Sequence, residues 1–149
     1  ALVSFQTASK MKPENSKYLL NEGYENLSLG RAETAKKIFE RVQKRPDVPH
    51  EVGFLATALM AKIDGKWSNV LSFCERSIKL DPDYTQALVL RAEALEKLQK
   101  PDEAREAYQK ALESDPNLTE VEKALDRLKP PAPSPSPTPA PDIKPDVQP

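Results

Sequence analysis

Two side chains hold most of this chain's capacity for covalent or acid–base chemistry, and they stand far apart in sequence. The chain has one histidine, His50, and one cysteine, Cys74. General acid–base and nucleophilic mechanisms need a converging set of groups: a nucleophile, a base beside it and a third group that orients the base. His50 opens a predicted helix at a turn, where it meets solvent. Cys74 falls on an apolar helical face, where a thiol behaves as a small, inert hydrophobe. A single cysteine closes no internal disulfide and offers no Cys/His metal spacing, and the chain contains no glycine-rich phosphate loop or nucleophile elbow. The reading is therefore no catalytic residues, no metal and no cofactor, which argues against an enzyme.

In place of reactive groups the chain carries apolar stripes. Over residues 50–64, Phe54, Ala58 and Ala61 recur at i, i+4 and i+7, the spacing of one helical face. Val52, Leu55, Leu59 and Ile63 form a second stripe on the same segment. The first question about each stripe is whether it is merely core, since a helix pair has to pack against its neighbours.

The elements that position these stripes are helices. Only 4 glycines and 6% aromatic residues accompany abundant Ala, Leu, Glu, Lys and Arg, residues that lose little rotamer freedom in a helix. Most of the 15 prolines sit in the last twenty or so positions, so 38% hydrophobic residues can still build one modest all-α domain. With 22 basic against 23 acidic residues, the chain as a whole presents no positive field for phosphate backbones or anionic lipid, which argues against nucleic acid as a partner. The most apolar run, Val52 to Ala61, is about half the roughly 20 residues needed to span a bilayer, and Lys62 and Asp64 close it. No targeting signal is legible, and one could have been removed.

The order of the helices is periodic. Leu80-Asp81-Pro82-Asp83 and Ser114-Asp115-Pro116-Asn117 are offset by 34 residues, and the same offset superposes Ile78 on Leu112, Val70 on Ala104 and Phe54 on Leu88. Asp102-Glu103-Ala104-Arg105-Glu106-Ala107-Tyr108-Gln109-Lys110-Ala111 and the closing segments around Pro82 and Pro116 resemble the second helix and ending of a tetratricopeptide repeat. An earlier unit fits with one extra residue, Gly30 on Gly65, Ala35 on Val70 and Phe39 on Cys74, with Gly23 as the small residue of its first helix; its ending, Arg45 to Pro49, departs from the pattern. The resemblance implies a right-handed α-solenoid of helix-turn-helix repeats at 16–47, 50–82 and 84–116, with helices at about 16–29 and 32–44, 50–64 and 67–80, 84–99 and 102–114. Pro46, Pro49, Pro82 and Pro116 stop the second helices, because proline lacks an N–H and clashes with the preceding turn.

Phe5, Ala8 and Pro13 align with Tyr108, Ala111 and Pro116, so residues 1–12 are expected to be a second helix without its first. That predicts a longer parent protein, and an uncovered face at Leu2, Phe5 and Met11 that could support self-association. Leu118, Val121, Leu125 and Leu128 predict a capping helix over 117–128, apolar toward the last repeat and charged toward water. Residues 129–149 are Pro-rich and favour extended polyproline II, reaching on the order of 60 Å at about 3.1 Å per residue. A spacer is the primary reading, with recognition or modification of Pro-Ser-Pro-Thr-Pro as alternatives. Tails of this kind resemble linkers of bacterial envelope proteins, which favours the cell envelope or periplasm over the cytoplasm.

Within the resemblance, the stripe Phe54, Ala58, Ala61 and its successor Leu88, Ala92, Leu95 take packing positions. The second stripe takes the positions that face the concave, partner-binding surface. The partner groove is accordingly expected at Leu20, Tyr24, Leu27, Val52, Leu55, Leu59, Ile63, Val89, Glu93 and Lys97, apolar at one end and charged at the other; the alternative is that a tightly curved superhelix makes these residues cover one another, or that an upstream segment or the tail fills the groove. Family members that clamp chaperone carboxylates use Lys, Asn and Arg, whereas those positions here read Leu20, Tyr24, Ala56, Gln86 and Leu90, which argues against such a clamp. Lys36, Lys37, Arg41, Lys44 and Arg45 are expected on a solvated outer face, and Trp67 in packing. The function that follows is a scaffold or adaptor holding a partner peptide or helix in a largely apolar groove. A structural subunit of a larger, envelope-associated assembly and the regulatory repeats of an enzyme are the alternatives.

Overall fold

A computed structural model describes residues 15–130; the helix expected over 1–12 and the Pro-rich segment from residue 131 lie outside the described residues. The described residues form seven helices and no strand: α1 (Ser16–Ser28), α2 (Ala32–Gln43), α3 (His50–Ile63), α4 (Trp67–Leu80), α5 (Thr85–Lys97), α6 (Pro101–Ser114) and α7 (Thr119–Arg127). Each helix packs on the next, and α1 also reaches α3, so the chain is an all-α solenoid of stacked helix pairs.

The turns within the pairs share one device. Gly30, Gly65 and Gln99 have φ of 76°, 71° and 62°. The residue after each donates its N–H back to the last turn of the preceding helix: Arg31 to Asn26 O at 2.8 Å, Lys66 to Ala61 O and Lys100 to Leu95 O at 2.9 Å. A left-handed residue just past the helix end is what allows these bonds, and glycine adopts it without a Cβ penalty. Gln99 adopts the same conformation with a side chain in place.

Packing inside the pairs varies in a compensating way. Gly23, Ala58 and Ala92 occupy one register position, and Phe39, Cys74 and Tyr108 another; all six are buried. A Cβ on Gly23 would run into the Phe39 ring, so the bulkiest fully buried side chain takes the space that the glycine leaves. Cys74 is sealed, and burial pushes its thiol up to about 12, far from a reactive thiolate.

Two apolar clusters result. The larger joins α1 through α5; the smaller, with Leu95, Ala104, Tyr108, Val121 and Ala124, closes the last pair beneath α7. On α7 the buried face is Val121 and Ala124, with Leu118, Leu125 and Leu128 partly covered. Ala124 thus takes a central place that the stripe of larger residues did not indicate, because a small side chain lets α7 approach closely.

Candidate functional site

The positions expected to line the groove divide into two sets. Leu20, Val52, Leu55 and Leu59 are 0% exposed and belong to the larger core. They do not line an open groove, which corrects the expectation at these residues. The covering elements come from both sides of α3. Gln86 of α5 donates to Asn21 Oδ1 of α1 at 2.9 Å, and the Lys17 ammonium lies 5.9 Å from the Tyr84 ring centroid. Side chains two repeats apart therefore meet across the middle pair, and the apolar stripe of α3 is packed beneath them.

Tyr24 lies in the same layer. Burial, helped by the nearby carboxylate of Glu93, pushes its phenol up to about 12, so it stays neutral and serves packing. Leu27 and Ile63 are half-buried against this core. The five clamp positions read from the family carry no cation: Leu20, Ala56 and Leu90 are fully buried, Tyr24 is neutral, and Gln86 is engaged with Asn21.

Val89, Glu93 and Lys97 form the other set, on the inner edge of α5. Val89 and Glu93 are partly exposed and Lys97 is exposed; among the described residues no further repeat folds over them. Beside them, α7 stands as a second wall. Val89, backed by the buried Val121 and Ala124, and the charged Glu96, Glu120 and Arg127 line a cleft of about 440 Å³.

The charges around this cleft are held in place. The Lys62 ammonium donates to Glu93 at 2.8 Å, and Glu96 accepts from the Tyr108 hydroxyl at 3.0 Å and from Arg127 Nη2 at 2.5 Å. Burial pushes the Tyr108 phenol upward, and the bonded carboxylate adds to the effect. The Lys97 ammonium lies 5.9 Å from the Trp67 centroid, within cation–π range, and α5 carries no carboxylate paired with it among the described residues. The cleft thus offers an apolar floor, a paired acidic edge and an accessible lysine, fixed by α5, α6 and α7 together.

As residues of this cleft, Glu96, Tyr108, Val121, Ala124 and Arg127 escaped the reading of the sequence. Tyr108 was legible as packing, but its hydroxyl reaches across to α5. Arg127 lies 31 residues after Glu96, near one repeat period, and that spacing of opposite charges was the available signal. His50 lines a separate outer hollow between α2 and α3 with Val48, Pro49 and Phe54, and it is exposed.

Stacked helix pairs with shared turn and packing positions define a class, the helical-repeat solenoid, whose faces present side chains to other chains. Residues 85–118 match the family model of the tetratricopeptide repeat. The first tetratricopeptide domain of human RPAP3 is similar at 25% identity and a TM-score of 0.62, covering 78% of this chain and 91% of that one. The first such domain of Spaghetti (RPAP3), bound to the HSP90 peptide SRMEEVD, is similar at 24% identity and a TM-score of 0.62, over 77% of this chain and 93% of that one. The Sgt2 domain from Aspergillus fumigatus shares 17% identity at a TM-score of 0.60, over 84% of this chain and 91% of that one. Residues 85–118 thus carry a tetratricopeptide repeat, and the described residues share the fold of tetratricopeptide-repeat domains.

Proposed function

We propose that this chain is a protein-interaction adaptor that takes a segment of a partner protein into the cleft between α5 and α7. The observation that carries the reading is the open inner edge of α5, where Val89, Glu93 and Lys97 face the α7 wall instead of another repeat. A bound segment would set an apolar anchor against the partly exposed Val89, beneath which Val121 and Ala124 are already packed, an acidic group toward Lys97 and a basic one toward Glu93. The first repeat domain of Spaghetti (RPAP3) holds an HSP90 peptide, and binding of a peptide by this chain agrees with that similarity. The clamp positions, however, hold Leu20, Tyr24, Ala56, Gln86 and Leu90, so the recognised feature is an apolar anchor and not a terminal carboxylate. A binding role also fits the sealed thiol of Cys74, the side chain best suited to nucleophilic chemistry.

The test is selection of peptides from a displayed library on the intact 149-residue chain, followed by affinity measurement. Val89→Asp combined with Lys97→Glu should weaken the selected peptides at least tenfold, with helical circular dichroism unchanged. Peptides that bind this variant as tightly as the parent would remove the cleft from consideration.

A further inference from the structure

The outer face of the solenoid carries a charge gradient that packing does not require. Four exposed positions repeat along each second helix: Thr34, Lys37 and Arg41 on α2 with Lys44 capping its C-terminal end; Asn69, Ser72, Arg76 and Lys79 on α4; Glu103, Glu106, Lys110 and Glu113 on α6. The face thus runs from three cations, through two, to three carboxylates with one lysine. Most cations elsewhere have a partner, such as Lys36 with Asp64, Lys62 with Glu93, Arg91 with Glu75 and Arg127 with Glu96. Arg76 rests over the Phe73 and Phe54 rings at 5.4 and 5.9 Å. Lys37, Arg41 and Lys44 form no ion pair among the described residues, although Glu33 and Glu40 flank them on the same helix.

We propose that the α2 stripe Lys37, Arg41 and Lys44 docks a short acidic segment of a partner protein, a second contact independent of the α5–α7 cleft. Three cations at i, i+4 and i+7 share one side of the helix and span roughly 10 Å at 1.5 Å per residue. An extended chain covers that length with three or four residues at roughly 3.3 Å each, so a brief run of Asp or Glu matches it. The opposite sign on α6 limits the ligand's length. A long polyanion following the outer face would run onto Glu103, Glu106 and Glu113, whereas a short acidic segment meets α2 alone. The gradient therefore favours acidic peptide over nucleic acid or a membrane surface, and it orients the partner along the array.

The probe is a fluorescein-labelled peptide of about eight glutamates, long enough to cover the stripe at roughly 3.3 Å per residue, titrated by anisotropy against the full chain. Binding is expected at low salt, to weaken severalfold between about 50 and about 200 mM salt, and to fall about tenfold or more in K37E/R41E/K44E. R76E/K79E should lower it less, and Val89→Asp with Lys97→Glu should leave it unchanged, which separates this contact from the cleft. If the charge-reversed protein fails to fold, K37A/R41A/K44A provides the same comparison with a smaller loss. No binding of the probe, or equal binding by the α2 variants, overturns the proposal. Equal or tighter binding of a duplex DNA oligonucleotide or of phosphatidylserine vesicles through the same three residues also overturns it.

Discussion

The inner edges of α3 and α5 occupy the same positions of successive repeats and end in opposite environments. Val52, Leu55 and Leu59 on α3 are sealed, whereas Gln86, Val89, Glu93 and Lys97 on α5 run from a bonded amide to an open lysine. The repeat position does not set exposure by itself. α3 has a helix pair on each side whose polar side chains meet over it, whereas among the described residues the α5–α6 pair has only the shorter α7 beyond it. The same repeat position is core where neighbouring pairs meet over it and open where they do not, and the chemistry follows: apolar where covered, charged where open.

The comparison breaks most directly at its apolar members. Leu59→Ala should cost about 2–5 kcal/mol, the range for truncating a fully buried leucine, while Val89→Ala should cost less than about 1 kcal/mol because part of its surface already meets water. Urea denaturation of the two variants measures the difference, and equal losses would place both residues in one environment. Replacing Leu55 and Leu59 by glutamate would bury two charges and unfold the array, so such a variant reports on stability and not on partner capture.

A smaller loss is expected where the first pair is tightest. Gly23→Ala pushes a methyl group into the Phe39 ring and should cost about 1–3 kcal/mol by overpacking. A thermal melt unchanged by this substitution would show that the ring can move aside.

The bridge over α3 should contribute less again. Gln86→Ala removes the bond to Asn21 and should cost about 0.5–1.5 kcal/mol, with faster amide exchange at Leu55 and Leu59. The smallest effect has the opposite sign. Gln99→Gly relieves a left-handed residue at the turn where Gly30 and Gly65 already stand, and should stabilise by about 0.5–1 kcal/mol in the same denaturation series.

The helices and their order were legible because the 34-residue offset repeats both the packing residues and the helix-stopping prolines. The sealing of Leu20, Val52, Leu55 and Leu59 was not, since nothing near them in sequence indicates that Asn21 and Gln86, 65 residues apart, bond above them. The open half was legible in Val89, Glu93 and Lys97. Its second wall was missed because Val121 and Ala124 look like cap residues until α7 is placed beside α5.

The central claim is that the partner site lies at the α5–α7 end and that the α3 stripe is core. The most direct measurement is a backbone NMR titration of the intact chain with a peptide selected on it. The account predicts shifts at Val89, Glu93, Lys97, Ala124 and Arg127, with the amides of Leu55 and Leu59 unmoved. Shifts centred on Leu55, Leu59 and Asn21, with the α5–α7 residues unmoved, would contradict it.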